Sequence, residues 1–247
     1  MIRAQWIGLS VGIVAAGTFT LGIGLSRPTV RLAAFSTSLD ARNAAQRHNA
    51  LLAVQQLDDR VVAAHGVFSF VHTVGSFSRD AGYRKAPVSY NGQLIDSWGG
   101  GVCQVSTTLY NAALLSGMKI IERHRHRFWP GYVGPGRDAG VAYDDIDLKF
   151  ENPYSYPVTI RASVDSSRVQ IVFVARSRPR VLPEVVSVVK DVAPARTVAI
   201  GSGREYGRVR NSGKDGCEVA VYRIYPDRRE LVSEDWYPAM NRVIDYR

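Results

Sequence analysis

A cysteine follows directly on three glycines in the run Gly99-Gly100-Gly101-Val102-Cys103-Gln104-Val105-Ser106-Thr107-Thr108-Leu109-Tyr110-Asn111-Ala112. Val102, Val105, Leu109, Ala112 and Ala113 fall on one face at helical spacing, and Gly117 supplies a left-handed stop. The spacing predicts a helix with Cys103 in its first turn. There, open amides and the positive end of the helix dipole favour an anion and lower a thiol pKa. Gly100 and Gly101 let a substrate approach the backbone and leave amides free to hold an oxyanion. The chemistry on offer is thiolate nucleophilic catalysis. The competing reading is structural: a small buried apolar group, or half of a disulfide with Cys217, the commoner role for an exported cysteine.

A thiolate of this kind needs a base, and the base needs an orienter. The histidines are His48, His65, His72, His124 and His126. His124 and His126 share one face of an extended segment, since strand side chains alternate. His126 is taken as the base because it lies nearer the glycine- and proline-rich loop from Pro130 to Asp138, and His124 as its solvated neighbour. Asp138 is the carboxylate that could orient an imidazole, or else a turn residue bonding its own loop. Arg137 could pair with a substrate carboxylate in forked geometry, or simply face solvent. Gln104 is an oxyanion donor or a group that closes the helix end. Ser106 and Thr107 are substrate-facing hydroxyls or helix-packing groups, and a serine nucleophile is the weaker candidate because the dipole fades beyond the first turn. No metal-ligand spacing or phosphate-binding glycine motif occurs, so no metal or cofactor is expected.

The chain that must position these groups has 247 residues and a net charge of +9, enough for one or two domains with a sizeable core. Ala4 to Ser26 carries no charge and follows Arg3, which predicts residues 1–26 as an N-in transmembrane anchor, with a cleaved signal segment as the rival. The catalytic domain then lies outside a bacterial cell membrane crossed by a single pass. The basic residues are scattered and no nucleic-acid fold motif interleaves them with aromatics, so an anionic wall matrix fits better than nucleic acid.

Residues 27–34 read as a tether. A helix follows from Ser38 through Leu57, capped by Ser38 or Asp40. Strand or turn patterns cover Val61 to Phe70, a hairpin centred on Asn91-Gly92, and Lys119 to Arg123. Asp147 to Phe150, Val158 to Ala162 and Val169 to Val174 alternate as antiparallel strands. After Arg176-Ser177-Arg178-Pro179-Arg180 only short strands remain, predicting a small all-β module over residues 177–247 that holds no nucleophile–base pair and is dispensable for the chemical step. The fold class expected is α+β, with the cysteine-bearing helix on a mainly antiparallel sheet.

The cysteine run also resembles the signature of the VanW family. Flanking segments agree: Phe68-Ser69-Phe70, Gly82-Tyr83-Arg84-Lys85-Ala86-Pro87-Val88, Glu122-Arg123-His124-Arg125-His126, Gly136-Arg137-Asp138-Ala139 and Asp147-Leu148-Lys149-Phe150-Glu151-Asn152. The resemblance makes residues 35–176 a VanW-like domain and matches both His124 and His126 to histidines of the family pattern. It implies a cysteine L,D-transpeptidase acting on peptidoglycan stem peptides through a thioester. The opposing expectation is a non-catalytic peptidoglycan-binding or accessory protein of the envelope. Neither reading fixes an oligomeric state.

Overall fold

The computed structural model describes residues 29–90, 93–142, 145–201 and 207–246. The anchor expected at residues 1–26 lies outside them, and among the described residues no helix is long and apolar enough to cross a membrane. The described chain opens with β1 (Val30–Ser38), α1 (Ala44–Leu57), β2 (Val61–Val62), β3 (Val67–Ser69) and the single-turn α2 (Phe70–Val74). Then come β4 (Lys85–Tyr90), β5 (Gln93–Trp98), α3 (Val102–Leu115), β6 (Lys119–Glu122), β7 (Lys149–Glu151), β8 (Val158–Val164) and β9 (Arg168–Ala175). The architecture is α+β and mostly antiparallel.

Strand alternation builds the principal sheet, ordered β1-β9-β8-β2. Val169, Ile171 and Phe173 of β9 and Val158 and Ile160 of β8 point inward and are fully buried, as period-two patterning requires. Helix α3 lies on β1 and β9 and against α1. Strands β3, β7 and β6 form a second small sheet, and β4 pairs with β5; the turn residues Asn91 and Gly92 lie outside the described residues.

Two expectations near the start of the chain are corrected. Residues 30–34, read as tether, begin β1, which pairs with β9 from Val30↔Ala175 to Ser38↔Arg168. That strand depends on a partner far along the sequence, so local pattern does not reveal it. The first helix begins only at Ala44, capped by neither Ser38 nor Asp40. Asn43 accepts from the Gln46 amide at 2.8 Å while the Gln46 side chain accepts from the Asn43 amide at 3.2 Å, a capping box.

Beyond residue 176 every element is a strand: β10 (Glu184–Ala193), β11 (Thr197–Ile200), β12 (Arg208–Lys214), β13 (Gly216–Ile224), β14 (Arg229–Tyr237) and β15 (Met240–Asp245). They form two three-stranded sheets, β10-β13-β14 and β11-β15-β12, in which only β11 and β15 run parallel. The first of these lies close against the loop before Asp138: a Cβ built on Gly136 would come 2.5 Å from Val221.

Candidate active site

Helix α3 starts from Gly101, whose φ of 107° is a left-handed conformation costly for any residue with a side chain. A Cβ there would also stand 2.5 Å from the Gln46 carbonyl oxygen, and one on Gly100 2.7 Å from that of Ala86. The glycines therefore let the start of α3 press against α1 and β4. Gly100 is buried, and its carbonyl accepts from Asn49; it does not line the cleft, which corrects its expected substrate role, whereas Gly101 does line it. The first amides of a helix lack intrahelical acceptors. Those of Val102 and Gln104 turn back to the Gly99 and Gly101 carbonyls, while that of Cys103 has no acceptor among the described residues.

Cys103 is partly exposed, and both it and the buried Cys217 are free thiols. Cys103 and His126 face each other across the cleft, and Cys103 Sγ donates to the Val141 carbonyl at 3.3 Å. His126 Nδ1 lies 2.7 Å from Asp138 Oδ2, and the His126 amide donates to the same oxygen at 2.7 Å. The carboxylate thus fixes both ring and backbone and leaves Nε2 for the sulfur. Asp138 is fully buried. Its other oxygen accepts from Arg123 Nη2 at 3.0 Å and from the Tyr237 hydroxyl. Arg123 also forks onto Asp235 at 2.6 and 2.7 Å and donates to the Asp138 carbonyl. His124 turns to Glu122 instead, at 2.9 Å.

These contacts set the charges. Burial alone raises the Asp138 carboxyl, but the hydrogen bond from His126 and the charge of Arg123 outweigh it and hold it at about 2. Burial alone lowers His126, but Asp138 and Cys103 raise it to about 10. Burial likewise raises the Cys103 thiol, and the hydrogen bond and charge of His126 reverse that, leaving it below its ordinary value. Cysteine and histidine titrate as a coupled pair, each biasing the other toward thiolate and imidazolium.

Five polar side chains of α3 are buried: Gln104, Ser106, Thr107, Thr108 and Asn111. Buried polar groups require partners, and three of these grip the loop that carries Asp138. Ser106 donates to the Ala139 carbonyl at 2.7 Å, Thr107 accepts from the Ala139 amide at 3.0 Å, and Asn111 donates to the Arg137 carbonyl at 2.7 Å. Ser106 and Thr107 therefore fasten the Cys103 helix to the loop of Asp138 and do not line the cleft. Arg137 is corrected too. Its Nε donates to Asn111 and its Nη1 to the Val185 carbonyl, away from the cysteine. Gln104 offers no oxyanion donor, since its amide nitrogen is taken by Thr37 and the Ser38 carbonyl.

Cys103 and His126 open onto a cleft of about 270 Å³ walled by Phe128, Trp129, Tyr132 and Arg42. A larger depression of about 540 Å³ beside α2 holds no cysteine. Two of its three acids are satisfied internally, Glu122 by Lys149 and Asp147 by Ser69 and the Val71 amide. Arg42, Arg123, Asp235 and Tyr237 are site residues that the sequence did not single out. Only Arg123 carried a local signal, lying immediately before His124-Arg125-His126.

A free cysteine at a helix start, facing a histidine that a buried aspartate orients, has the groups of a thiol acyl-transfer site. A family model described as "VanW like protein" matches residues 45–174, and the chain belongs to the VanW family. It is 40% identical over 134 residues to "Uncharacterized protein YoaR" of Bacillus subtilis (strain 168), covering 54% of this chain and 44% of that protein. It is 28% identical over 142 residues to "Vancomycin B-type resistance protein VanW" of Enterococcus faecalis (strain ATCC 700802 / V583), covering 56% of this chain and 52% of that protein. The chain thus spans about half the length of these curated relatives. No solved structure matches it.

Proposed function

We propose that this protein is a cysteine-dependent acyl transferase of the cell wall, an L,D-transpeptidase that cross-links peptidoglycan stem peptides. The observation that carries the reading is the Cys103–His126–Asp138 line opening onto an aromatic-walled cleft. The name of one relative, a vancomycin resistance protein, is in keeping with an envelope substrate. The uncharged run from Ala4 to Ser26, outside the described residues, is read as the anchor that holds the domain on the extracytoplasmic face of a bacterial membrane.

In this mechanism the Cys103 thiolate attacks the carbonyl at the L-centred end of diaminopimelate in a tetrapeptide stem. A C–S bond forms, and the oxyanion is met by the open Cys103 amide. The tetrahedral adduct collapses, the C–N bond breaks, and His126 gives its proton to the departing D-alanine amine. A side-chain amine of a second stem then attacks the thioester. His126 takes up the proton, and the Cys103 thiolate leaves.

The test incubates the protein with a disaccharide-tetrapeptide and follows free D-alanine and the 3-3 dimer. The expected result is both products from the wild type and neither from Cys103→Ala. D-alanine without dimer would favour a hydrolase. Stem binding without either product would favour the non-catalytic envelope protein.

A further inference from the structure

The carboxylate-binding role that forked arginines fill in recognition is open at Arg42. This side chain lies between β1 and the cap of α1 and lines the cleft together with Cys103. Its Nε donates to Gln104 Oε1 at 2.6 Å. The orientation of that amide is fixed, because Gln104 is 2% exposed and its nitrogen already donates to Thr37 at 3.0 Å and to the Ser38 carbonyl at 2.6 Å. The guanidinium carbon sits 4.9 Å from the centre of the Tyr132 ring, which covers one face. A buried amide and an aromatic face thus hold the side chain in one pose.

What it lacks is an anion. Arg123 is paired with two aspartates, and Arg137 is spent on Asn111 and a carbonyl. Arg42 has no carboxylate partner among the described residues, and its two Nη groups have no acceptor there. A pre-positioned, half-buried guanidinium with its outer nitrogens unused, in the cleft that holds Cys103, suits a planar carboxylate.

We infer that Arg42 is the specificity-determining residue of the site and binds the free terminal carboxylate of the acyl-donor peptide. Resting on the transpeptidase reading above, it makes the donor a peptide whose scissile bond lies one residue from a free carboxyl end. The carboxylate sits on the Nη atoms, the aromatic wall takes the side chains, and the carbonyl to be attacked is presented to Cys103.

Binding without turnover separates this inference from the reading it rests on. The full chain carrying Cys103→Ala is titrated with a tetrapeptide stem and with the same stem ending in a carboxamide. The acid is expected to bind about tenfold or more tighter than the amide, the size of one charge-assisted hydrogen-bonded pair. Adding Arg42→Gln should erase the difference, and Arg42→Lys should restore part of it. Equal binding of acid and amide, or no binding of either, overturns the inference, and so does a preference that survives Arg42→Gln in a protein whose circular dichroism is unchanged. If Arg42→Gln fails to fold, the acid-to-amide ratio of the Arg42 protein and the Arg42→Lys comparison decide. A carboxylate preference with no D-alanine release from the Cys103 protein would leave Arg42 in place and sink the transpeptidase.

Discussion

Asp138 sets the state of the two residues that face the cleft. It is fully buried, yet holds its charge because three residues donate to it: His126, Arg123 and Tyr237. A buried carboxylate fixes the tautomer of the imidazole, and the imidazolium in turn holds the thiolate. Cys103 lies below its ordinary thiol pKa and Cys217 above its own, the latter raised by burial. Iodoacetamide at pH 7 should therefore alkylate Cys103 well before Cys217, as read by peptide mass spectrometry; equal labelling would contradict the ion pair. His126→Ala should slow both alkylation at neutral pH and turnover, the latter on the order of a hundredfold, as for a lost general base. Asp138 also contributes to stability. Its folded pKa of about 2 lies below the ordinary 3.8, so its stabilisation is complete above about pH 4 and is lost as pH falls toward 2. The contribution is on the order of 2 kcal/mol. Urea midpoints between pH 6 and pH 2, on a scale set by the carboxylate range, should fall more steeply for the wild type than for Asp138→Asn.

Helix α3 carries both halves of the site's geometry, Cys103 at its head and the fasteners along its length. Its start and stop were legible because glycine before and after an apolar repeat has a direct physical cause. The inward strands β8 and β9 were legible for a similar reason, their strict alternation. The roles of Ser106, Thr107 and Asn111 were not. A hydroxyl on a buried helix has the same sequence pattern whether it meets a ligand or the backbone of a loop that arrives from elsewhere, and only the packing of residues 137–139 decides. Arg137 and Arg42 exchanged expectations on the same ground, since neither charge nor spacing shows which guanidinium has partners. Thr107→Val keeps the side-chain shape but strands the buried Ala139 amide. It should cost about 1–3 kcal/mol in chemical denaturation and leave Asp138 less firmly placed, with a matching loss of turnover. Gly101→Ala meets both the left-handed φ and the Gln46 carbonyl. A loss of about 1–3 kcal/mol is expected, and an unchanged melting temperature would show that the helix start is not strained.

The molecule as a whole closes the site from its far end. The family match stops at residue 174, yet Asp235 and Tyr237 of β14 reach Arg123 and Asp138, and the Tyr237 hydroxyl also accepts from the Gly136 amide at 3.2 Å. Lys214 donates to the Trp129 carbonyl at 2.8 Å and lies 3.7 Å over its ring, while Met240 joins the cleft wall. A tail read from its own residues has no nucleophile and no base, which is why it looked dispensable; its part is to supply partners to charges that the first 174 residues bury. Ending the chain near residue 176 would leave Arg123 without one of its two carboxylates and Asp138 without its hydroxyl donor, and a buried charge that loses a partner is costly. The truncated chain should therefore lose the low thiol pKa of Cys103 even where circular dichroism shows a fold, measured as the pH midpoint of iodoacetamide labelling. Tyr237→Phe isolates the effect within the full chain. It removes one hydrogen bond to a charged group, and turnover should fall several-fold while stem affinity stays the same, since Tyr237 is buried and does not line the cleft. A truncated protein that keeps both its labelling midpoint and its turnover would show that the tail only decorates the domain, and a Tyr237→Phe defect confined to stem affinity would move Tyr237 from positioning Asp138 to lining the cleft.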